Sequence, residues 1–174
     1  MKQFIDPMEY ARQILQGVKK GVLLNTRDGD FVNTMSISWG TMGIQWNQPI
    51  FTAFVRGSRF TKPVLDKTGV FTVSIPLDSF DKSIIGYCGS KSGRDTDKLR
   101  DLGLHTEAAE VNGVPGIREL PLTLECKVLY AQQQFPENMT DSEPHAHYAK
   151  DCDSIEQEYH TAYYGQIVSA YIIR

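Results

Sequence analysis

The chain has 174 residues, of which 41% are hydrophobic and 22% charged, as expected for a single soluble globular domain. A formal net charge of -3 leaves no basic excess to neutralise phosphates, which disfavours a general nucleic-acid binder. No stretch reaches the roughly 20 apolar residues of a membrane span, and the start MKQFIDPMEY lacks the apolar run of a secretory signal. We therefore expect a cytoplasmic protein with no membrane partner.

The cysteines are three in number and widely spaced: Cys88, Cys126 and Cys152. An odd count without close spacing fits reduced thiols better than a disulfide framework or a zinc knuckle. We expect no structural metal.

The first half of the chain predicts one helix and then several strands. Asp6-Pro7 is a helix-start signal, and apolar residues recur at helical spacing up to Val18. The runs GVLLNT and FVNTMSIS, joined by a turn at Asp28-Gly29, predict a hairpin. The runs IFTAFV and VFTVSI predict strands on either side of a loop and a short helix that begins near Pro63.

The second half predicts two helices, from Asp78 to Tyr87 and from Asp95 to Leu102, and two strands, LTLECKVLYA and YYGQIVSAYII. A polar, acidic stretch from Gln132 to Glu158 is poor in aliphatic residues and predicts an insertion or lid. The chain thus reads as one β-rich (α+β) domain, residues 1–174, in which an antiparallel barrel with peripheral helices is favoured over a doubly wound sheet.

The sequence contains neither GxGxxG nor GxxxxGK[ST], so a phosphate must be held in another way. The stretch VRGSRFTK, which follows a strand, places Arg56 and Arg59 among the hydroxyls of Ser58 and Thr61. Guanidinium and hydroxyl donors suit a dianionic phosphate. The alternative is a solvated turn whose arginines pair with surface carboxylates.

A second candidate stretch runs from Asn33 to Thr41 and ends in small residues around one large aromatic, Trp39. A flavin ring needs an apolar surface for its faces and backbone N–H groups at its polar edge. The alternative is an ordinary hairpin strand with a tryptophan in the core.

Four segments, in this order, resemble the flavin reductase-like family with the FMN-binding split-barrel fold, and within it flavoredoxin-type proteins. They are the strand from Asn33 to Trp39, the loop from Arg56 to Thr61, the stretch CGSKSGRDTDK from Cys88 to Lys98, and HTAYYGQI from His160 to Ile167.

The resemblance implies non-covalent FMN with NAD(P)H as co-substrate. It implies a ring and ribityl site formed by Asn33, Thr34, Met35, Ser36, Ser38, Trp39 and Gly40. It implies that the phosphate is held by Arg56, Ser58, Arg59 and Thr61, with Lys98 and Ser92 closing the site. His160 stands where a histidine could supply a proton or a hydrogen bond near neutral pH.

The resemblance also implies a homodimer. Three functions stay open at this point: an NAD(P)H-dependent flavin or ferric reductase, a flavoredoxin-like electron carrier with a redox protein as donor, and a binding module that has lost flavin. A metal at His145, His147 and Cys152 is disfavoured, because residues at i and i+2 of a strand face opposite ways.

Overall fold

The computed structural model describes residues 1–77, 79–148 and 154–174, and of residues 156 and 157 the backbone alone. The helices are α1 (Ala11–Lys20), α2 (Thr61–Thr68), α3 (Ser83–Ser90), α4 (Lys98–Leu102), α5 (Ser142–His145) and α6 (Ile155–Glu158), with a 3₁₀ turn at Pro136–Asn138. The strands are β1 (Lys2–Phe4), β2 (Val22–Asp28), β3 (Phe31–Ile37), β4 (Gly40–Gln45), β5 (Gln48–Arg56), β6 (Val70–Ile75), β7 (Thr106–Glu107), β8 (Gly116–Ile117), β9 (Leu122–Gln133) and β10 (His160–Ile173).

Eight of these strands form one antiparallel sheet in the order β3-β2-β6-β9-β10-β5-β4, with β1 paired to β10. The sheet is not closed, since β3 and β4 are its two ends. Strands β7 and β8 form a separate two-stranded ribbon. The predicted β-rich antiparallel architecture with peripheral helices is confirmed.

The main core combines apolar residues of the sheet with Ile14 and Val18 of α1 and Leu65 of α2. Phe51, Phe71 and Tyr163 are almost fully buried there. Strand β10 crosses the Phe71 ring at Gly165, where a Cβ atom would come within 2.7 Å of the ring. The register of β10 against β9 also shifts at this point. Glycine therefore permits the close approach that bends the sheet.

The helix starts differ from those predicted by sequence. Asp6 accepts a hydrogen bond from the Met8 amide at 2.8 Å within a turn, and α1 begins only at Ala11. Asp97 caps α4, accepting from the Arg100 amide, so this helix starts at Lys98 rather than Asp95. Of the segment predicted to be helical from Asp78 to Tyr87, residue 78 lies outside the described residues, and the helix there begins at Ser83.

Strand β4 was not predicted. It pairs with β5 through a tight turn at Trp46-Asn47, where both residues have positive φ. No helix in the described part of the chain has the length and apolar character to cross a membrane. We call residues 134–159, between β9 and β10, the inserted segment. Its described residues include short helical turns, and His147 of this segment contacts Trp39.

Candidate functional site

Two adjoining cavities lie along β3: the first is bounded by the loop before α2 and the segment from α3 to α4, and the second by residues of β5 and the start of β10. The first encloses about 130 Å³ and the second about 260 Å³. They share Met35, Ser36 and Arg59 as lining residues, so we describe them as two adjoining ends of one candidate site.

The first cavity is lined by cations and hydroxyl groups. Among the described residues that line it there is no carboxylate. Its cations are Arg59, Lys91, Arg94 and Lys98, and its hydroxyl groups belong to Ser36, Ser58, Thr61, Ser90 and Ser92. An enclosed, acid-free cavity of this kind favours a multiply charged anion.

The loop before α2 presents Arg59 and Thr61 to this cavity. The side-chain amide of Asn33 donates from Nδ2 to the Thr61 hydroxyl oxygen at 2.9 Å. This leaves the hydroxyl proton of Thr61 available for a ligand. In the described part of the chain Arg59 makes no ion pair. Arg59 and Thr61 are therefore ready to donate to an anion.

The stretch after α3 closes the far side of the cavity by tight packing. A Cβ atom on Gly93 would collide with the Asn33 side chain and lie 2.8 Å from the Phe60 ring. Arg94 lies over the Phe60 ring and donates to the Ser58 carbonyl at 3.3 Å. The loop before α2 and the stretch after α3 thus support each other.

Lys98 is buried and fastens β3 to α3. Its ammonium group donates to the carbonyls of Thr34, at 2.8 Å, and Cys88, at 3.0 Å. Burial lowers the pKa of Lys98. Burial also raises the pKa of the Cys88 thiol, which lines the cavity, to about 11. Thr34 is itself buried and lines neither cavity, so it contributes through its carbonyl.

The second cavity is walled by aromatic side chains. Trp39 is 40% exposed, so the alternative of a core tryptophan is wrong. Its ring lies 4.8 Å from the His160 imidazole and 5.1 Å from that of His147, between ring centroids. Ser38 and Arg56 line the same cavity. Gly40 does not line this cavity but lines a neighbouring groove that shares Trp39 with it.

Arg56 differs from Arg59 because the inserted segment holds it. It donates to the Glu158 carboxylate at 3.1 Å and to the His147 carbonyl at 2.8 Å, and it lies over the Tyr148 ring. For Arg56, pairing with a carboxylate is therefore observed, as in the alternative to phosphate binding. Its side chain nevertheless lines the second cavity.

His160 is fixed by a residue of the inserted segment. Its Nδ1 lies 2.8 Å from the Tyr148 hydroxyl, which donates to the Gln134 side-chain oxygen at 3.1 Å. When the single Tyr148 hydroxyl proton is donated to Gln134, Nδ1 of His160 must carry the ring hydrogen and Nε2 is left as an acceptor. Burial, assisted by Arg56 and Arg59, lowers the pKa of His160 to about 4. The ring is neutral at pH 7, which favours a hydrogen-bonding role over proton supply.

Sequence reasoning missed several residues of this site. Lys91 was not predicted, and Arg94 stands in an anion-favouring stretch but was not predicted as a site residue, although both line the first cavity. For Tyr148 no sequence signal existed, because only the fold brings it to His160. Of the disfavoured metal ligands, Cys152 lies outside the described residues, and no group of three metal-binding side chains occurs in the rest.

The open antiparallel sheet with a ligand-sized site between its strand ends and helices defines a split-barrel protein. The chain belongs to the family described as flavin reductase like domain, whose model matches residues 15–174. This confirms the family resemblance.

Solved structures share the fold. Flavoredoxin from Methanosarcina acetivorans is 23% identical, with a TM-score of 0.65 over 88% of this chain and 68% of that one. A flavin reductase-like FMN-binding domain from Shewanella baltica is 16% identical, with a TM-score of 0.69 over 99% of this chain and 77% of that one.

Among curated proteins, an uncharacterized protein from Archaeoglobus fulgidus is 26% identical over 129 residues. The match covers 74% of this chain and 65% of the relative, so this chain spans less than two thirds of that protein's length.

Proposed function

We propose that this protein binds FMN non-covalently in the two adjoining cavities and passes electrons through it. The observation that carries the proposal is a cavity lined by four cations and by no described carboxylate, adjoining a second cavity that Trp39 and His160 line. These two ends suit the dianionic phosphate and the flat ring of one molecule. An FMN-binding protein from Thermus thermophilus is among the structural neighbours.

The phosphate end would use the guanidinium of Arg59, the hydroxyls of Ser58, Thr61 and Ser92, and the unshared donor of Lys98. Arg94 would add a second guanidinium from the opposite wall. Arg56 would contribute charge rather than a direct bond, because Glu158 and a backbone carbonyl already accept from it.

The ring end would use Trp39 as an aromatic wall, with Met35, Ser36 and Ser38 along β3. Asn33 orients Thr61, and the Thr34 carbonyl anchors Lys98. Bound FMN supplies hydride and single-electron transfer, so no protein nucleophile is needed. Neutral His160 would offer Nε2 as a hydrogen-bond acceptor at the ring.

The electron donor divides the proposal into two forms. In the first, NAD(P)H reduces the flavin, as the name of the neighbouring NADH:FAD oxidoreductase from Streptomyces globisporus suggests. In the second, a redox protein is the donor and this chain is an electron carrier, as the flavoredoxin neighbours suggest. We favour the first form in the broad sense of a flavin reductase. A module without flavin is disfavoured because Arg59 faces the first cavity and makes no ion pair with any side chain that the structure describes.

A homodimer, residence in the cytoplasm, and a single domain with a lid at about residues 132–158 stay predictions. The contacts of the inserted segment with Arg56, Trp39 and His160 support the lid. These contacts would let the segment cover the ring end of the site.

The test is an absorbance spectrum of the purified protein from about 300 to 550 nm, the range of flavin bands, before and after anaerobic NADH or NADPH. We expect a flavin spectrum, FMN on heat release, and prompt bleaching. A yellow protein inert to both nucleotides would assign the electron-carrier form. A colourless protein that refuses added FMN would overturn the proposal.

A further inference from the structure

Tyr148 lies behind the ring end of the site. It does not line the second cavity, yet its hydroxyl oxygen lies 2.8 Å from Nδ1 of His160, which does line that cavity. The same hydroxyl lies 3.1 Å from the side-chain oxygen of Gln134. Tyr148 therefore acts on the contents of the cavity only through the residues in front of it, and its hydroxyl acts through His160.

The chain of hydrogen bonds from Gln134 through Tyr148 to His160 is held in place by further contacts. Tyr148 is 9% exposed, and its ring stacks on Tyr159 with 4.2 Å between the ring centroids. The Arg56 guanidinium lies 5.3 Å from the centroid of the Tyr148 ring. The backbone N–H of Gln134 donates to the carbonyl of His160 at 2.8 Å, which fixes these two residues against each other.

These hydrogen bonds decide which imidazole nitrogen carries the hydrogen. The single proton of the Tyr148 hydroxyl is donated to Gln134, so the hydroxyl oxygen accepts from Nδ1 of His160. The pKa of His160 is lowered to about 4 by burial and the nearby arginines, so the ring is neutral at pH 7 and Nε2 keeps a lone pair. No residue that the structure describes donates to Nε2, which leaves it available to a ligand.

An acceptor is the exception among the polar side chains of the second cavity. The guanidinium groups of Arg56 and Arg59 can only donate, and the hydroxyls of Ser36 and Ser38 can donate as well as accept. The described residues that line this cavity include no carboxylate. His160 is therefore the one described side chain there that is set up to accept from an N–H group without donating.

We propose that Tyr148 is a positioning residue, which holds His160 with its hydrogen on Nδ1 so that Nε2 accepts from an N–H group of the ligand's ring. The position of this hydrogen needs no ligand. Its use rests on the proposed function, because the ring of oxidised FMN has a single N–H, at N3. The ring end of the site would thereby distinguish a ring with an imide N–H from the same ring without it.

The first test is NMR of the ring nitrogens in flavin-free protein with isotope-labelled histidine. Protonated and unprotonated ring nitrogens have well-separated chemical shifts, so the spectrum shows which nitrogen of His160 carries the hydrogen. The His160 signals are those missing from the His160→Gln variant. Near neutral pH we expect the hydrogen on Nδ1. A hydrogen on Nε2 would overturn the proposal.

Two variants from the same ring stack separate positioning from packing. Tyr148→Phe keeps the ring against Tyr159 but removes the hydroxyl, so His160 should lose its preference for the hydrogen on Nδ1. Tyr159→Phe removes a hydroxyl from the other ring of the stack and should leave the wild-type spectrum of His160. An unchanged His160 spectrum in Tyr148→Phe would contradict the positioning role.

A third variant tests the order of the protons. Gln134→Glu keeps an acceptor for the Tyr148 hydroxyl but has no amide hydrogen to donate to it. The hydrogen should therefore stay on Nδ1 of His160. Its transfer to Nε2 would show that Gln134 donates to Tyr148 in the wild type, which would overturn the proposal.

The second test compares FMN with its N3-methyl derivative in fluorescence titrations. Both flavins carry the same phosphate, so their affinities differ only through the ring end. The preference for FMN should fall about fivefold in Tyr148→Phe, the value of one neutral hydrogen bond, and stay unchanged in Tyr159→Phe. An equal preference in wild type and Tyr148→Phe would overturn the use of Nε2. If neither flavin bound, the proposed function would fail, whereas the NMR result would stand.

Discussion

The two ends of the candidate site are built in different ways. The phosphate end is lined by β3, the loop before α2 and the segment from α3 to α4, and buried Lys98 ties β3 to α3. At the ring end Trp39 and His160 rest against the inserted segment, through His147 and Tyr148. The comparison indicates that the second end, unlike the first, is held in part by the inserted segment.

The largest expected effect is on the phosphate end. Arg59→Ala should weaken FMN binding by about 1.5–3 kcal/mol, the range for hydrogen bonds to charged groups, while riboflavin binding stays nearly unchanged. Flavin fluorescence titration measures both affinities. Arg56→Ala is the comparison variant and should cost less, because Arg56 is already bonded to Glu158 and His147. Equal losses for FMN and riboflavin in Arg59→Ala would remove the phosphate assignment.

Packing at the phosphate end gives the next effect. Gly93→Ala introduces a methyl group against Asn33 and Phe60 and should lower the free energy of unfolding by about 1–3 kcal/mol. It should also weaken FMN binding, since Asn33 orients Thr61.

Gly86→Ala is its control, at a helical position of α3 where an added Cβ meets nothing within 4 Å. This control should be stabilising by about 0.5–1 kcal/mol, the helix propensity of alanine over glycine. Urea denaturation measures both variants. A Gly93→Ala protein as stable as the wild type would contradict the tight packing.

At the ring end the titration of His160 gives a smaller effect. Because its pKa in the folded protein is lowered to about 4, its contribution to stability is complete above the ordinary histidine pKa and is lost as pH falls toward 4. After discounting for solvent screening of this half-buried ring, the loss is about 1–2 kcal/mol.

His160→Gln should remove that part of the pH dependence, measured as the difference in unfolding free energy from the wild type between about pH 8 and pH 4.5, the range that spans histidine titration. Tyr148→Phe is the companion variant, which loses the hydroxyl partner of Nδ1 but keeps the aromatic ring. An NMR titration that places the His160 pKa near its ordinary value would show that the ring is solvated.

The smallest effect concerns the attachment of the inserted segment. Glu158→Gln weakens the ion pair with Arg56, which should cost at most about 1 kcal/mol. Limited proteolysis within the segment should nevertheless become severalfold faster, since opening is local. Glu143→Gln, an exposed position of the same segment, is the control. Equal cleavage rates in both variants would contradict the idea that the Glu158–Arg56 ion pair holds the inserted segment in place.

The sequence predicted the strands of the sheet better than it predicted the residues at the ring end of the site. The Asp28-Gly29 turn and the alternating runs beside it gave the β2/β3 hairpin, because turn chemistry is local. Strand β4 could not be predicted because Gly40 and Gly43 interrupt the alternation of side chains that marks a strand. It forms through pairing with β5.

The site residues divide in the same way. Hydroxyls and arginines beside a strand end could be assigned to an anion from their chemistry alone, as for Arg59. Which arginine is paired could not be predicted, because Glu158 reaches Arg56 from a position 102 residues away. The same holds for Tyr148, whose contact with His160 depends on the course of the whole inserted segment.

The buried thiol of Cys88 has a consequence for durability. Hydrogen peroxide attacks thiolates rather than thiols, and a pKa of about 11 leaves roughly one molecule in ten thousand ionised at pH 7. If the cavity binds a flavin as we propose, its reduced form would generate peroxide close to Cys88 whenever it met dioxygen. The burial of Cys88 would then slow oxidation of this thiol.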